Sequence, residues 1–145
     1  MEFWGREREI EVLKRELTRP GLRIFLLRGR RRVGKTALIR HFLQEAGTEA
    51  FYHEAVSHEP PRIFLESLMR FLKPEHPLPL DFEGVFWLLA EKSKRSGRKP
   101  VVAIDEFPDL LESWPGLAGH LRRWIDLHPE ANVLFIFAGS SLSLM

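Results

Sequence analysis

Ile24-Phe25-Leu26-Leu27-Arg28-Gly29-Arg30-Arg31-Arg32-Val33-Gly34-Lys35-Thr36 is the stretch on which the reading of this chain turns. Its four consecutive apolar residues, set between charged ones, have the length and composition of a strand buried on both faces. The next eight residues, Gly29 to Thr36, fit the pattern G-x-x-x-x-G-K-[ST]. Ala37, Leu38, Ile39, Phe42 and Leu43 then recur at helical spacing, and Gly47 is placed to cap the helix. Glycines let a loop curl until its N–H groups converge on an anion, and the helix N-terminus adds partial positive charge. A chance match to the pattern in a chain of this length is on the order of one in a few hundred. Its position between an apolar strand and a helix makes chance rarer still.

This geometry predicts that the backbone from Gly29 to Gly34 cradles phosphate, that Lys35 reaches the β- and γ-phosphates, and that Thr36 holds Mg²⁺ through its hydroxyl. Arg30, Arg31, Arg32 and Val33 fill the variable positions of the loop. The three arginines raise the local positive potential and attract a polyanionic nucleotide, or they form a solvated basic face or a partner contact. The sequence leaves those readings open.

The other half of such a site is an acidic residue at the C-terminal end of a neighbouring strand. Val101-Val102-Ala103-Ile104 ends in Asp105-Glu106. Asp105 is expected on Mg²⁺, which prefers hard oxygen ligands and takes few of them from protein. Glu106 is expected to polarise an attacking water as general base. An adjacent pair of this kind suits a hydrolase better than a small-molecule kinase. A further apolar run, Val133 to Phe137, ends at Gly139-Ser140-Ser141, where the Ser140 hydroxyl either touches the γ-phosphate or orients water, unless the segment merely starts a loop.

Around these runs the chain alternates strands and helices. Glu7 to Leu17 has Ile10, Leu13 and Leu17 on one helical face. Ala50-Phe51-Tyr52 begins a strand. A helix follows Pro60-Pro61, another runs from about Phe82 to Ser96, and Pro115-Gly116 introduces a last one carrying Leu117, Leu121, Trp124 and Ile125. The alternation predicts a parallel sheet covered on both faces. His53-Glu54 and His58-Glu59 resemble a zinc pattern, but histidines five apart do not share a helix face, so they are set aside.

The bulk properties agree with one domain over residues 1–145. Of these 145 residues, 44% are apolar and 29% charged, near the average for globular domains. Without cysteine, disulfide scaffolds, thiolate zinc sites and cysteine nucleophiles are excluded. A net charge of +2 is too small to argue for nucleic acid; the basic excess gathers at Arg28, Arg30, Arg31, Arg32 and Lys35. No apolar stretch approaches the roughly 20 residues of a membrane helix. The start Met1-Glu2-Phe3-Trp4 lacks a signal-peptide pattern, so the cytoplasm is the expected compartment.

Taken in order, these motifs resemble the archaeal-type ATPase family of the STAND class, within the AAA+-like P-loop ATPases. Phe3-Trp4-Gly5-Arg6-Glu7-Arg8-Glu9 with Leu13 is similar to the family's opening element, Gly29 to Thr36 to its arginine-rich loop, Asp105-Glu106-Phe107-Pro108 to its acidic box, and Gly139-Ser140-Ser141 to its sensor segment. The resemblance implies a three-layer αβα core of the additional-strand type with strand order 5-1-4-3-2. It implies ATP and Mg²⁺ as cofactors, and slow hydrolysis used as a conformational switch in a DNA-associated or signalling ATPase. Against that pattern the chain stops after its fourth core strand, before the fifth strand, helical lid and C-terminal domain of relatives. The strand at Ile24–Leu27 is then expected at a sheet edge. A non-catalytic nucleotide-binding or interaction module is the alternative. The expected partners are nucleotide and, as the source of an arginine finger, a second subunit or partner protein. Nucleic acid enters only through a C-terminal domain, and a membrane is not expected.

Overall fold

The computed structural model describes residues 7–29, 34–76, 79–95 and 97–139. Its elements are α1 (Glu7–Thr18), β1 (Arg23–Arg28), α2 (Lys35–Glu45), β2 (Ala50–Glu54), α3 (Pro61–Leu72), α4 (Phe82–Arg95), β3 (Val101–Asp105), α5 (Phe107–Ser113), α6 (Leu117–Leu127) and β4 (Leu134–Gly139). The four strands are all parallel and lie in the order β1-β4-β3-β2. This is the 1-4-3-2 portion of the expected order.

Strand periodicity divides the core in two, because successive side chains point to opposite faces. Val101, Ala103, Leu134, Ile136 and Ala138 join Leu27 on the face covered by Ile10 and Leu13 of α1 and Leu38, Ile39 and Phe42 of α2. Val102, Ile104, Phe135 and Phe137 point the other way, into a larger core supplied by α3, α4, α5 and α6. The result is a three-layer αβα domain. The central strands β3 and β4 are buried along their whole length, as continuous apolar runs require.

β1 departs from the expectation of burial on both faces. Leu27 is buried, but Ile24 and Leu26 are 42% and 45% exposed. The reason is position: β1 is the last strand of the sheet beside β4, and among the described residues no helix crosses its second face. An ion pair from Arg23 Nε to Glu16 Oε2, at 2.6 Å, fastens its start to α1.

Helix boundaries follow local chemistry. Asp81 Oδ1 accepts the Gly84 N–H at 2.8 Å, the side-chain cap that starts α4. Gly47, at φ 68, follows the end of α2 and supplies the left-handed conformation that commonly stops a helix. The helix α5 is a seven-residue segment that apolar periodicity did not announce, beginning beside Pro108 where a missing N–H costs nothing.

Candidate functional site

The first turn of α2 stands at the C-terminal ends of the parallel strands. Gly34, its N-cap, has φ 83 and ψ 13, a left-handed conformation open to glycine at little cost. Its carbonyl accepts the Leu38 N–H at 2.8 Å, so the helix begins immediately and Lys35 and Thr36 project from its first turn. Arg30, Arg31, Arg32 and Val33 lie outside the described residues, as does Ser140.

Lys35 is fully buried. Its ammonium donates to Asp105 Oδ1 at 2.9 Å and to Glu106 Oε1 at 3.4 Å. The Thr36 hydroxyl donates to the other Asp105 oxygen, Oδ2, at 2.6 Å. Residues seventy positions apart are therefore brought into one cluster by the adjacency of α2 and β3. Asp105 itself is the last residue of β3 and fully buried, and its Oδ1 also accepts the backbone N–H of Glu106 at 2.9 Å. Burial pushes the Asp105 carboxyl up, but the hydrogen bonds from Thr36, Lys35 and Tyr52 outweigh it and hold the group below its ordinary value.

Glu106 adopts φ 53 and ψ 44, a conformation that non-glycine residues seldom take and that costs of order 1 kcal/mol or more. The turn ends β3 and opens α5 while leaving the Glu106 carboxylate beside the Lys35 ammonium. Phe107 directly after it is buried and stacks on Phe137 of β4, ring centroids 4.2 Å apart. That packing anchors the strained turn to the sheet.

Among the described residues, Tyr52 is the side chain at this cluster that sequence reasoning did not single out. It lies on β2, opposite Ala103 in the β2–β3 register, where Glu54 faces Asp105. Its hydroxyl donates to Asp105 Oδ2 at 2.8 Å. Desolvation first, then the neighbouring Asp105 carboxylate, pushes the phenol well above its ordinary value. The Arg40 guanidinium lies 5.4 Å from the ring centroid. Only the strand register reveals this contact; the sole hint in the sequence is a polar-tipped aromatic near the end of a short strand.

The histidines set aside earlier are placed apart from the cluster chemistry. His53 Nε2 sits 2.8 Å from Glu59 Oε1, and His58 occupies a left-handed turn at φ 65. Among the described residues no group of three or more His, Asp or Glu side chains could by itself hold a metal ion. A metal at Thr36 and Asp105 would have to draw its remaining ligands from elsewhere. A cleft of about 580 Å³ at the opposite end of the sheet, between Gly21, Thr48 and Asn132, is bridged by Lys99 donating to the Gly21 carbonyl. It contains none of the lysine–carboxylate constellation.

Residues 3–145 match the family described as an ATPase domain predominantly from Archaea. The chain belongs to this family. The chain is 28% identical over 144 residues to an uncharacterized protein of Methanocaldococcus jannaschii, covering 99% of the chain and 30% of that protein. Its fold is similar to a Walker-type ATPase of Pyrococcus abyssi, with a TM-score of 0.69, 23% identity, and coverage of 96% of the chain and 46% of the other. It is also similar to the Aeropyrum pernix Orc1 protein solved in complex with DNA, with a TM-score of 0.64, 22% identity, and coverage of 96% and 40%. The chain thus spans less than half the length of these relatives. At such identities the solved structures speak for the fold. No helix among its described residues is long and apolar enough to cross a membrane.

Proposed function

We propose that residues 1–145 form a P-loop domain that binds ATP with Mg²⁺ and hydrolyses it as a conformational switch. The observation that carries this reading is the convergence of the Lys35 ammonium, the Thr36 hydroxyl, Asp105 and Glu106 at the start of α2. Membership of an ATPase family supports it.

The donor set suits the cofactor. A hydroxyl oxygen and a carboxylate oxygen 2.6 Å apart are both hard ligands, and Mg²⁺ takes one or two such groups from protein and the rest from phosphate and water. When bound, the metal neutralises charge on the β- and γ-phosphates. Lys35 would exchange its two carboxylates for phosphate oxygens. The loop amides from Gly29 to Gly34, with Arg30, Arg31, Arg32 and Val33 between them, would enclose the phosphates. Thr36, through its hydroxyl oxygen, and Asp105, through its carboxylate, would hold the metal. Glu106, released from Lys35, takes the proton of the attacking water, and Ser140 acts as sensor.

Further partners follow from the same reading. An arginine finger comes from a second subunit or a partner protein. Nucleic acid, bound by the Aeropyrum pernix neighbour, is reached here through a further domain. The cytoplasm is the compartment that suits an ATP-driven switch.

The test is turnover against binding. Glu106→Gln should bind ATP as the parent does and hydrolyse it about 10²- to 10⁴-fold more slowly. Hydrolysis at the parent rate would remove Glu106 from the role. ATP binding without turnover in the parent chain would favour the non-catalytic module.

A further inference from the structure

We propose that Tyr52 is a positioning residue for the Asp105 carboxylate, its hydroxyl holding Oδ2 so that the Thr36–Asp105 pair is set for Mg²⁺. The inference rests on the nucleotide site proposed above.

Four donors converge on Asp105 in the structure. Oδ1 accepts from Lys35 Nζ and from the Glu106 backbone N–H, each at 2.9 Å. Oδ2 accepts from Thr36 Oγ1 at 2.6 Å and from Tyr52 Oη at 2.8 Å. With nucleotide bound, Lys35 would turn to phosphate and Thr36 would give the metal a lone pair while keeping its O–H for Oδ2. Of the side-chain donors on the carboxylate, the Tyr52 O–H is then the one with no duty toward phosphate or metal, and with the Glu106 N–H it fixes the plane of the group, one on each oxygen. Without it the carboxylate is held by the backbone N–H and by a hydroxyl shared with the metal, and its last torsion, broad for aspartate, is less constrained.

Tyr52 is built for that duty. β2 pairs with β3 directly, so its backbone is held against the strand that carries Asp105. Its ring packs against the core cluster on the α1–α2 side of the sheet and lies beneath Arg40. Phenylalanine would satisfy that packing equally well. A hydroxyl at this depth is costly unless hydrogen-bonded, and its acceptor is the oxygen that Thr36 also uses.

The experiment measures ATP binding and turnover as a function of Mg²⁺ concentration for the parent, Tyr52→Phe and Tyr52→Leu, with ATP binding in EDTA as the metal-free readout. Tyr52→Phe should stay folded and keep its metal-free ATP affinity, while its half-saturating Mg²⁺ concentration rises roughly three- to tenfold, a part of the more than tenfold that a whole hydrogen bond to a charged group is worth. If Tyr52→Phe matches the parent in Mg²⁺ dependence and only Tyr52→Leu is impaired, ring packing is the whole role and the proposal is overturned. A parent chain without Mg²⁺-dependent ATP binding would overturn the nucleotide reading and this inference together.

Discussion

Replacing Lys35 with methionine removes the ammonium and keeps most of the stem, leaving Asp105 and Glu106 buried without their shared cation. Breaking a buried ion pair by deleting one partner typically costs about 3–5 kcal/mol. Here Thr36, Tyr52 and the Glu106 N–H still solvate Asp105, and the variant escapes the cost of burying an ammonium. The expected destabilisation at pH 7 is therefore about 2–3 kcal/mol, or roughly 5–10 °C in thermal midpoint for a chain of this size. Its pH dependence carries the sign. In the parent the folded Asp105 pKa lies below its ordinary 3.8, so its contribution to stability is complete above that value and is lost as pH falls through the folded pKa. Without Lys35 the carboxyl takes up its proton at higher pH, and the gap between variant and parent should narrow from pH 7 toward pH 4. Urea unfolding of both proteins at several pH values measures this. A difference below about 0.5 kcal/mol at pH 7, or one that does not change with pH, would refute the view that Lys35 and the carboxylates form a tightly coupled buried cluster.

Gly34→Ala places a Cβ on a residue at φ 83 and should cost about 1–2 kcal/mol, seen as a lower urea midpoint, together with weaker nucleotide binding by calorimetry. Leu26→Thr, on the uncovered face of β1, should change the stability of this chain by no more than about 0.5 kcal/mol, whereas Leu27→Thr one residue later should cost several times more in the same unfolding experiment. Phe107→Ala removes the stacking partner of Phe137 and should lower stability by about 3–5 kcal/mol. It should also slow turnover more than it weakens ATP binding, because the turn it anchors aims Glu106.

The parts of the fold legible in the sequence are those whose signal is local. The runs Val101–Ile104 and Val133–Phe137 are apolar on both faces because β3 and β4 are central, and they read directly as buried strands. The first turn of α2 reads from its own spacing, and Asp105-Glu106 from its place at a strand end. What stayed hidden depends on neighbours. The apolar letters of Ile24 to Leu27 cannot say whether anything covers their second face, and here two of the four are half exposed. Seven residues beginning Phe107-Pro108 are too few for periodicity to declare α5. The left-handed turn at Glu106 is invisible in a residue type that rarely adopts it. Tyr52 joins the site only through the β2–β3 register, and the closure of Lys35 onto both carboxylates is a contact across seventy positions.

The most direct test of the central claim is calorimetric titration of ATP, with Mg²⁺ present, into the parent chain and into Lys35→Ala, each checked for folding by circular dichroism. The account predicts saturable binding to the parent and an affinity at least tenfold weaker for the folded variant, since a charge-assisted phosphate contact is worth about 1.5–3 kcal/mol. Equal affinity in the two proteins, or no binding to the folded parent, would contradict it.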